Sequence, residues 1–350
     1  MLISVVAFII VIAICVLIHE YGHYITAKLL GVQVHEFAFG MGPAFAQKVT
    51  RGRSRMLWSL RLFPIGGFCR LAGMGEDQED EVVLPGMGFN EQPAWKRFLI
   101  LLNGSLFNIV LALLLTVFFL CGQGVMDMED TKIGEVMAGF PAESAGLRLG
   151  DRVVSVNGQT VSKWREMSDA LRKEGGKDTP VALEVLRGDK TLSLSLLIPN
   201  NREYGRPMLG ISPAYRRYGL IEAATSATGY IYRMTVMMLR GIADWIFQRQ
   251  EVEVTGPVGI ASMSGRAMRD GFWSFVTFLA LISLNLGLLN LFPIPALDGG
   301  RILFVLLEMI LRRRLPEKVE NWIHAAGFVL LISMMVLITC QDVYHLFLTK

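Results

Sequence analysis

Charge is what this chain of 350 residues has least of: Asp, Glu, Lys and Arg make up 19% of it, the net charge is +3, and 52% is hydrophobic. An average soluble domain carries about 25% charged residues. With so small a positive surplus, no basic stripe and no RNA-binding motif, no nucleic acid is expected as a partner. Cysteine is also scarce. Its four copies are Cys15, Cys69, Cys121 and Cys340, none in the long middle region, so no disulfide framework is expected. No Lys or Arg precedes Lys28, and no small-residue cleavage site follows the first apolar run. A secretory signal peptide is therefore not expected.

Long apolar runs are present instead. Four are expected to cross a bilayer, in residues 1–30, 98–122, 272–300 and 322–350. Lys48, Arg51, Arg53, Arg55, Arg61 and Arg70 lie between the first two, and Arg301, Arg312, Arg313, Arg314 and Lys318 between the last two. Both segments, 31–97 and 301–321, are therefore expected on the cytoplasmic side, the second as a loop. The acidic run at 76–81 does not overturn this, because acidic residues count little in that rule. Residues 201–271 read as a linker with an amphipathic helix at about 220–247, lying at the outer membrane surface on Tyr230, Tyr232 and Trp245. Were it a fifth span, everything after it would change sides.

His19-Glu20-Tyr21-Gly22-His23 follows directly on the first apolar run. Histidines at i and i+4 share a helix face and can hold one Zn²⁺. Glu20, beside the first, can instead take the proton of a water activated at the metal. Such a string also occurs by chance on soluble helices. Two His and one Glu within a membrane span, however, are costly unless they serve a site. Span three ends in Phe292-Pro293-Ile294-Pro295-Ala296-Leu297-Asp298-Gly299-Gly300. The two prolines stop a regular helix, and a broken helix at membrane depth lines a polar cavity. Asp298 is the natural third ligand, although alone it would read as a helix cap. His19 comes after about eighteen residues of span one, roughly 27 Å of helix, and Asp298 after about twenty-six residues of span three. Both reach the cytoplasmic side of the membrane.

Residues 56–63 read as a strand, and Gly66-Gly67 as a bend that makes 58–71 an apolar hairpin. Beside a membrane helix it must be shielded, or offer its edge to another strand. The middle region, 123–200, looks soluble. It carries Gly146-Leu147, then Gly150-Asp151, then a hairpin-turn signal at Asn157-Gly158. It resembles a PDZ domain of the bacterial type, a module that binds an extended peptide or chain end by strand addition.

Together these parts resemble the site-2 protease family, in particular bacterial intramembrane zinc metalloproteases of the regulator-of-sigma-E type with a single PDZ domain. The resemblance rests on His19-Glu20-x-x-His23, the PDZ between spans two and three, and Asn290-x-x-Pro293-x-Pro295-x-Leu297-Asp298-Gly299. It implies a mainly α-helical polytopic membrane protein with four transmembrane helices, a membrane-associated β-hairpin and an inserted α+β PDZ domain. It implies Zn²⁺ held by His19, His23 and Asp298, with Glu20 as general base. Asn285, Asn290, Gly66, Gly67 and Phe68 are implied to contact substrate. Residues 256–260 match a further family motif. In span two the family shows Gly-Pro before an Asn, whereas this chain keeps Asn108 without the Pro. The implied substrates are pre-trimmed single-pass membrane proteins such as anti-sigma factors and remnant signal peptides. The implied location is the bacterial cytoplasmic membrane, with the PDZ outside. The rival readings are a catalytically inactive PDZ scaffold, which the intact Glu20 opposes, and a transporter, for which no paired inverted repeat is present.

Overall fold

The computed structural model describes residues 2–50, 55–74, 82–177, 179–201, 205–248, 255–314 and 316–348. The acidic run at 76–81, Arg51, Arg53 and the side chain of Trp245 lie outside the described residues. The chain divides into two compact units, one of Met1–Phe119 with Ala224–Lys350 and one of Leu120–Ala223.

The first apolar run forms helix α1 (Leu2–Leu29). Gly31 ends it in the left-handed region (φ 81°), and the Val32 N–H closes on the Ala27 carbonyl at 2.8 Å. Strands β1 (Val34–Val49) and β2 (Leu57–Leu71) then pair antiparallel with several register shifts. Their register corrects the expected 58–71 hairpin. The two halves of β2 do not pair with each other. They flank β1: Phe37 lies opposite both Cys69 and Trp58, and Phe39 opposite both Gly67 and Leu60. Glu36, 2% exposed, explains the preference. It accepts hydrogen bonds from Arg61 (2.7 Å), Arg70 (3.1 Å) and the Ser59 hydroxyl (2.5 Å), which come from both halves. A buried carboxylate needs that many donors. The 67–71 half keeps one edge without a strand partner among the described residues.

Helix α2 (Ala94–Gly122) leads into the second unit. There follow β3 (Val125–Met126), β4 (Ile133–Val136), α3 (Pro141–Ser144), β5 (Arg152–Val156), β6 (Gln159–Thr160) and α4 (Trp164–Glu174). Next come β7 (Val181–Arg187), β8 (Lys190–Leu196), β9 (Asn200–Asn201), β10 (Arg206–Pro207), β11 (Ile211–Pro213) and β12 (Tyr215–Arg216). One sheet has the order β6-β5-β7-β8, and β4 pairs with β11. The expected turn is there: Val156 pairs with Gln159 across Asn157 (φ 47°) and Gly158 (φ 78°), both left-handed as a type I′ loop requires. Val181, Leu183 and Val185 alternate inward on β7 and meet Trp164, Met167 and Leu171 of α4. Each such burial contributes about 1.5–3 kcal/mol. Asp151, buried behind this sheet, takes two 2.7 Å hydrogen bonds from Arg187, which hold its carboxyl below the usual range.

Five more helices complete the chain: α5 (Leu220–Gln248), α6 (Pro257–Arg269), α7 (Phe272–Asn290), α8 (Asp298–Leu311) and α9 (Glu317–Leu348). α8 corrects the loop expected at 301–321. Its apolar residues continue at helical spacing, with Ile302 and Val305 buried, and Arg312 ends it at φ 52°. Helices α1, α2, α7 and the 318–342 part of α9 are long and apolar enough to cross a membrane; α5 is not among them.

α2 shows how such a helix sits. Its exposed stripe is Leu106, Val110, Leu114 and Phe118. Its buried face carries Ser105, Asn108, Ala112 and Thr116. Water would favour the reverse, whereas lipid outside and small residues at helix contacts favour this. Ser283 of α7 donates to the Asn108 carbonyl at 2.8 Å, and a Cβ on Gly287 would come within 2.9 Å of the Ser105 carbonyl.

Candidate metal centre

His19 and His23 are both buried on α1, and their Nε2 atoms lie 3.2 Å apart. The His23 Nδ1 proton is donated to the Ile100 carbonyl of α2 at 2.9 Å. That bond leaves a lone pair on His23 Nε2, the tautomer a metal ligand needs. Asp298 Oδ2 lies 2.9 Å from His19 Nε2 and 3.3 Å from His23 Nε2.

Two facing lone pairs and a carboxylate oxygen repel unless something positive lies between them. Four ligands about 2.0–2.1 Å from a tetrahedral Zn²⁺ stand about 3.3 Å from one another, close to the 2.9–3.3 Å separations of these three atoms. Asp298 Oδ2, the carboxylate oxygen facing both imidazoles, is buried and has no hydrogen-bond partner among the described residues. The residues therefore fit the ion, and His19, His23 and Asp298 form a possible metal site.

Glycines let the helices close on it. A Cβ on Gly22 would strike the Asn103 carbonyl of α2. A Cβ on Gly104 would strike His23 Nε2 and come within 2.9 Å of His19 Cε1. Gly104 is a functional position that the spacing of ionisable residues does not reveal. Its signal is the run of small residues Gly104-Ser105 inside an apolar span, opposite Gly22. Past α7, Pro293 and Pro295 end the helix, and Asp298 starts α8 from a short turn. Gly299 and Gly300 are needed there, because Cβ atoms would meet the Phe292 and Ile294 carbonyls.

Glu20 sits among these ligands, close to the backbone of Cys69. That contact brings the free edge of the 67–71 strand to the site. A Cβ on Gly67 would be 3.8 Å from Val16, one turn before Glu20. Phe68 lies under the Arg61 guanidinium, 4.8 Å from its ring centre, and Gly66 takes a left-handed φ of 84°. Asn290 Nδ2 is 3.4 Å from His19 Nε2. Asn285, five residues earlier on α7, lies about 140° around the helix from Asn290. Among the described residues it makes no hydrogen bond to the three ligands.

The chain's relatives agree with this geometry. The sequence profile described as Peptidase family M50 matches residues 7–334. A candidate zinc metalloprotease of Fusobacterium nucleatum is 32% identical over 343 residues, 97% of this chain and 98% of the other. Another, of Clostridium perfringens, is 33% identical over 338 residues, 94% and 95% of the two. Among solved structures, the PDZ domain of an SdrC-like protein of Listeria monocytogenes is 21% identical with a TM-score of 0.21, covering 24% of this chain and 85% of that one. Because the matched profile runs from α1 into α9 and takes in all three convergent side chains, the chain belongs to peptidase family M50, a family of zinc metalloproteases, and is a multi-pass membrane protein.

Proposed function

We propose that this protein is an intramembrane zinc endopeptidase. It cuts within the membrane-spanning segment of single-pass proteins that have already been trimmed outside. The observation that carries the reading is the convergence of His19, His23 and Asp298 from helices long and apolar enough to span a bilayer, with a free strand edge at Glu20. Zn²⁺ bound there supplies Lewis-acid polarisation of the scissile carbonyl and makes water easier to deprotonate. Glu20 takes the proton of the attacking water and returns it to the amine nitrogen as the C–N bond breaks. A substrate helix hides its amides in its own hydrogen bonds, so it must unwind first. The edge containing Gly66, Gly67 and Phe68 then pairs with it as an added strand, and the Asn290 amide holds the peptide backbone beside His19.

The second unit carries a groove between α4 and the 206–211 segment, a cavity of about 150 Å³ lined by Met167, Leu171, Leu209, Ile211, Arg172 and Arg206. The groove suits an extended apolar chain end whose carboxylate meets arginine. This supports the PDZ reading; the unit's main role in this proposal is that of a size filter that admits trimmed substrates and rejects untrimmed ones, with chain-end binding secondary. The enzyme acts in the bacterial cytoplasmic membrane, on substrates of the anti-sigma-factor and remnant-signal-peptide kind, with its site toward the cytoplasm.

Cut-site mapping tests the proposal. Purified enzyme in lipid is given one single-pass substrate with, and one without, a folded external domain. Mass spectrometry is expected to place the cut inside the apolar segment of the trimmed form alone. Replacing residues 134–198 with a flexible linker is expected to admit both forms. A cut outside the apolar segment would end the intramembrane reading.

Orientation is tested separately, in a chain whose native cysteines are replaced by alanine. Cysteine at Ser162, exposed in the second unit, is expected to react with an impermeant reagent added outside spheroplasts. Cysteine at Gln47, exposed at the end of β1, is expected to react only after lysis. The reverse pattern would invert the topology.

A further inference from the structure

We infer that α9, which contributes no metal ligand, positions the third one. Its residues His324 and Gly327 hold the Pro295–Ala296 turn and thereby set Asp298. This rests on the assignment of Asp298 as a ligand.

The turn between α7 and α8 has few ways to hold its shape. Pro293 and Pro295 have no N–H to donate. Ile294 donates to the Phe292 carbonyl at 2.7 Å and Leu297 to the Ile294 carbonyl at 3.2 Å. Ala296 stands in the left-handed region at φ 77°, which a side chain disfavours and which its surroundings must enforce. Its N–H is donated to His324 Nδ1 of α9 at 3.0 Å. That bond makes Nδ1 the acceptor, so the ring proton is on Nε2. The His324 ring is itself held edge-on against Phe304 of α8, 5.6 Å between centres.

One turn further along the same face of α9 lies Gly327. A Cβ there would strike Pro295 Cβ and come within 2.8 Å of the Pro295 carbonyl carbon and oxygen. From α8, Gly299 and Gly300 lie against the Phe292 and Ile294 carbonyls. The turn is thus clamped between glycines of two helices and pinned by one hydrogen bond, two residues before Asp298. Only 6% of the α9 span is buried, and away from this turn α9 meets α6 through Ile338 and Asp342. Lipid-facing helices pack where small residues allow close approach. The glycine of α9 that allows such an approach, Gly327, lies at the turn carrying the ligand.

The test uses the full-length enzyme in lipid or detergent, with four variants. His324→Phe keeps a ring against Phe304 but removes the acceptor. His324→Asn restores an acceptor through its amide oxygen. Gly327→Ala pushes on Pro295 without touching His324. Asp298→Ala is the control for the ligand assignment. Three readings are taken: zinc affinity by chelator competition, the visible spectrum of the Co²⁺-substituted protein, and kcat and KM separately.

Partners that orient a metal ligand are worth about 10–100-fold in affinity or activity. His324→Phe and Gly327→Ala are expected to weaken zinc binding by about tenfold or more, to change the Co²⁺ spectrum, and to lower kcat with KM unchanged. His324→Asn is expected to stay close to wild type. If Asp298→Ala loses metal while His324→Phe and Gly327→Ala keep wild-type affinity and spectrum, the inference is wrong, even if both variants melt earlier. An Asn variant as impaired as the Phe variant would also overturn it. Should His324→Phe fail to fold, Gly327→Ala decides by the same readings. If Asp298→Ala itself keeps its metal, the ligand assignment fails, a different result from failure of the clamp.

Discussion

Glu20→Gln is expected to lower proteolysis by at least about a thousandfold, the upper range for loss of a positioned general base, while about one zinc per chain remains bound. The two parts of this result come from different features of the site. The ligand atoms of His19, His23 and Asp298 lie within 4.8 Å of one another without help from Glu20. The metal should therefore survive the change. Glu20 faces the same space, close to the backbone of Cys69, and an amide there has the same shape. What the amide cannot do is take a proton from water. Turnover within tenfold of wild type would remove Glu20 as the base. Zinc lost together with activity would instead make it a ligand.

Asp298→Ala is expected to strip the metal. Two imidazoles and solvent would remain of the coordination shell, and dialysis against a mild chelator should leave well under half the zinc of wild type. Asp342→Ala is the informative control, because Asp342 is also a carboxylate on a spanning helix. Its oxygens accept the N–H groups of Gly256 and Gly259 at 3.3 and 2.8 Å, and so cap the start of α6. Losing that cap costs about 1 kcal/mol of stability and should leave zinc in place. The same contact explains the glycine at 256, since a Cβ there would come within 2.8 Å of the Asp342 carboxylate. Equal zinc retention in Asp298→Ala and wild type would move the third ligand elsewhere.

Some of this was legible because it depends on neighbours along the chain. The i, i+4 spacing alone puts His19 and His23 on one helix face, whatever packs against it. Pro293 and Pro295 stop α7 because they lack N–H groups. Asn157-Gly158 turns between β5 and β6 because both residues tolerate positive φ. The pairing of His19 and His23 with Asp298 was also reachable, since both runs are long enough to reach the same depth of a membrane.

Residues 58–71 show where such reasoning stops. Gly66-Gly67 suggests a bend, and a bend suggests that its flanks pair with each other. In the fold they pair with β1 instead, because buried Glu36 needs Arg61 from one flank and Arg70 from the other. That demand comes from residues far along the chain, and no local pattern expresses it. The sequence by itself determined which side chains can hold a metal and move a proton, because those are properties of residue type and helical spacing. Only the tertiary structure decided which backbone groups serve them: the Ile100 carbonyl on His23 and the Ala296 N–H on His324. Every residue but proline has the same backbone N–H and carbonyl, so their partners become visible only when distant segments are brought together.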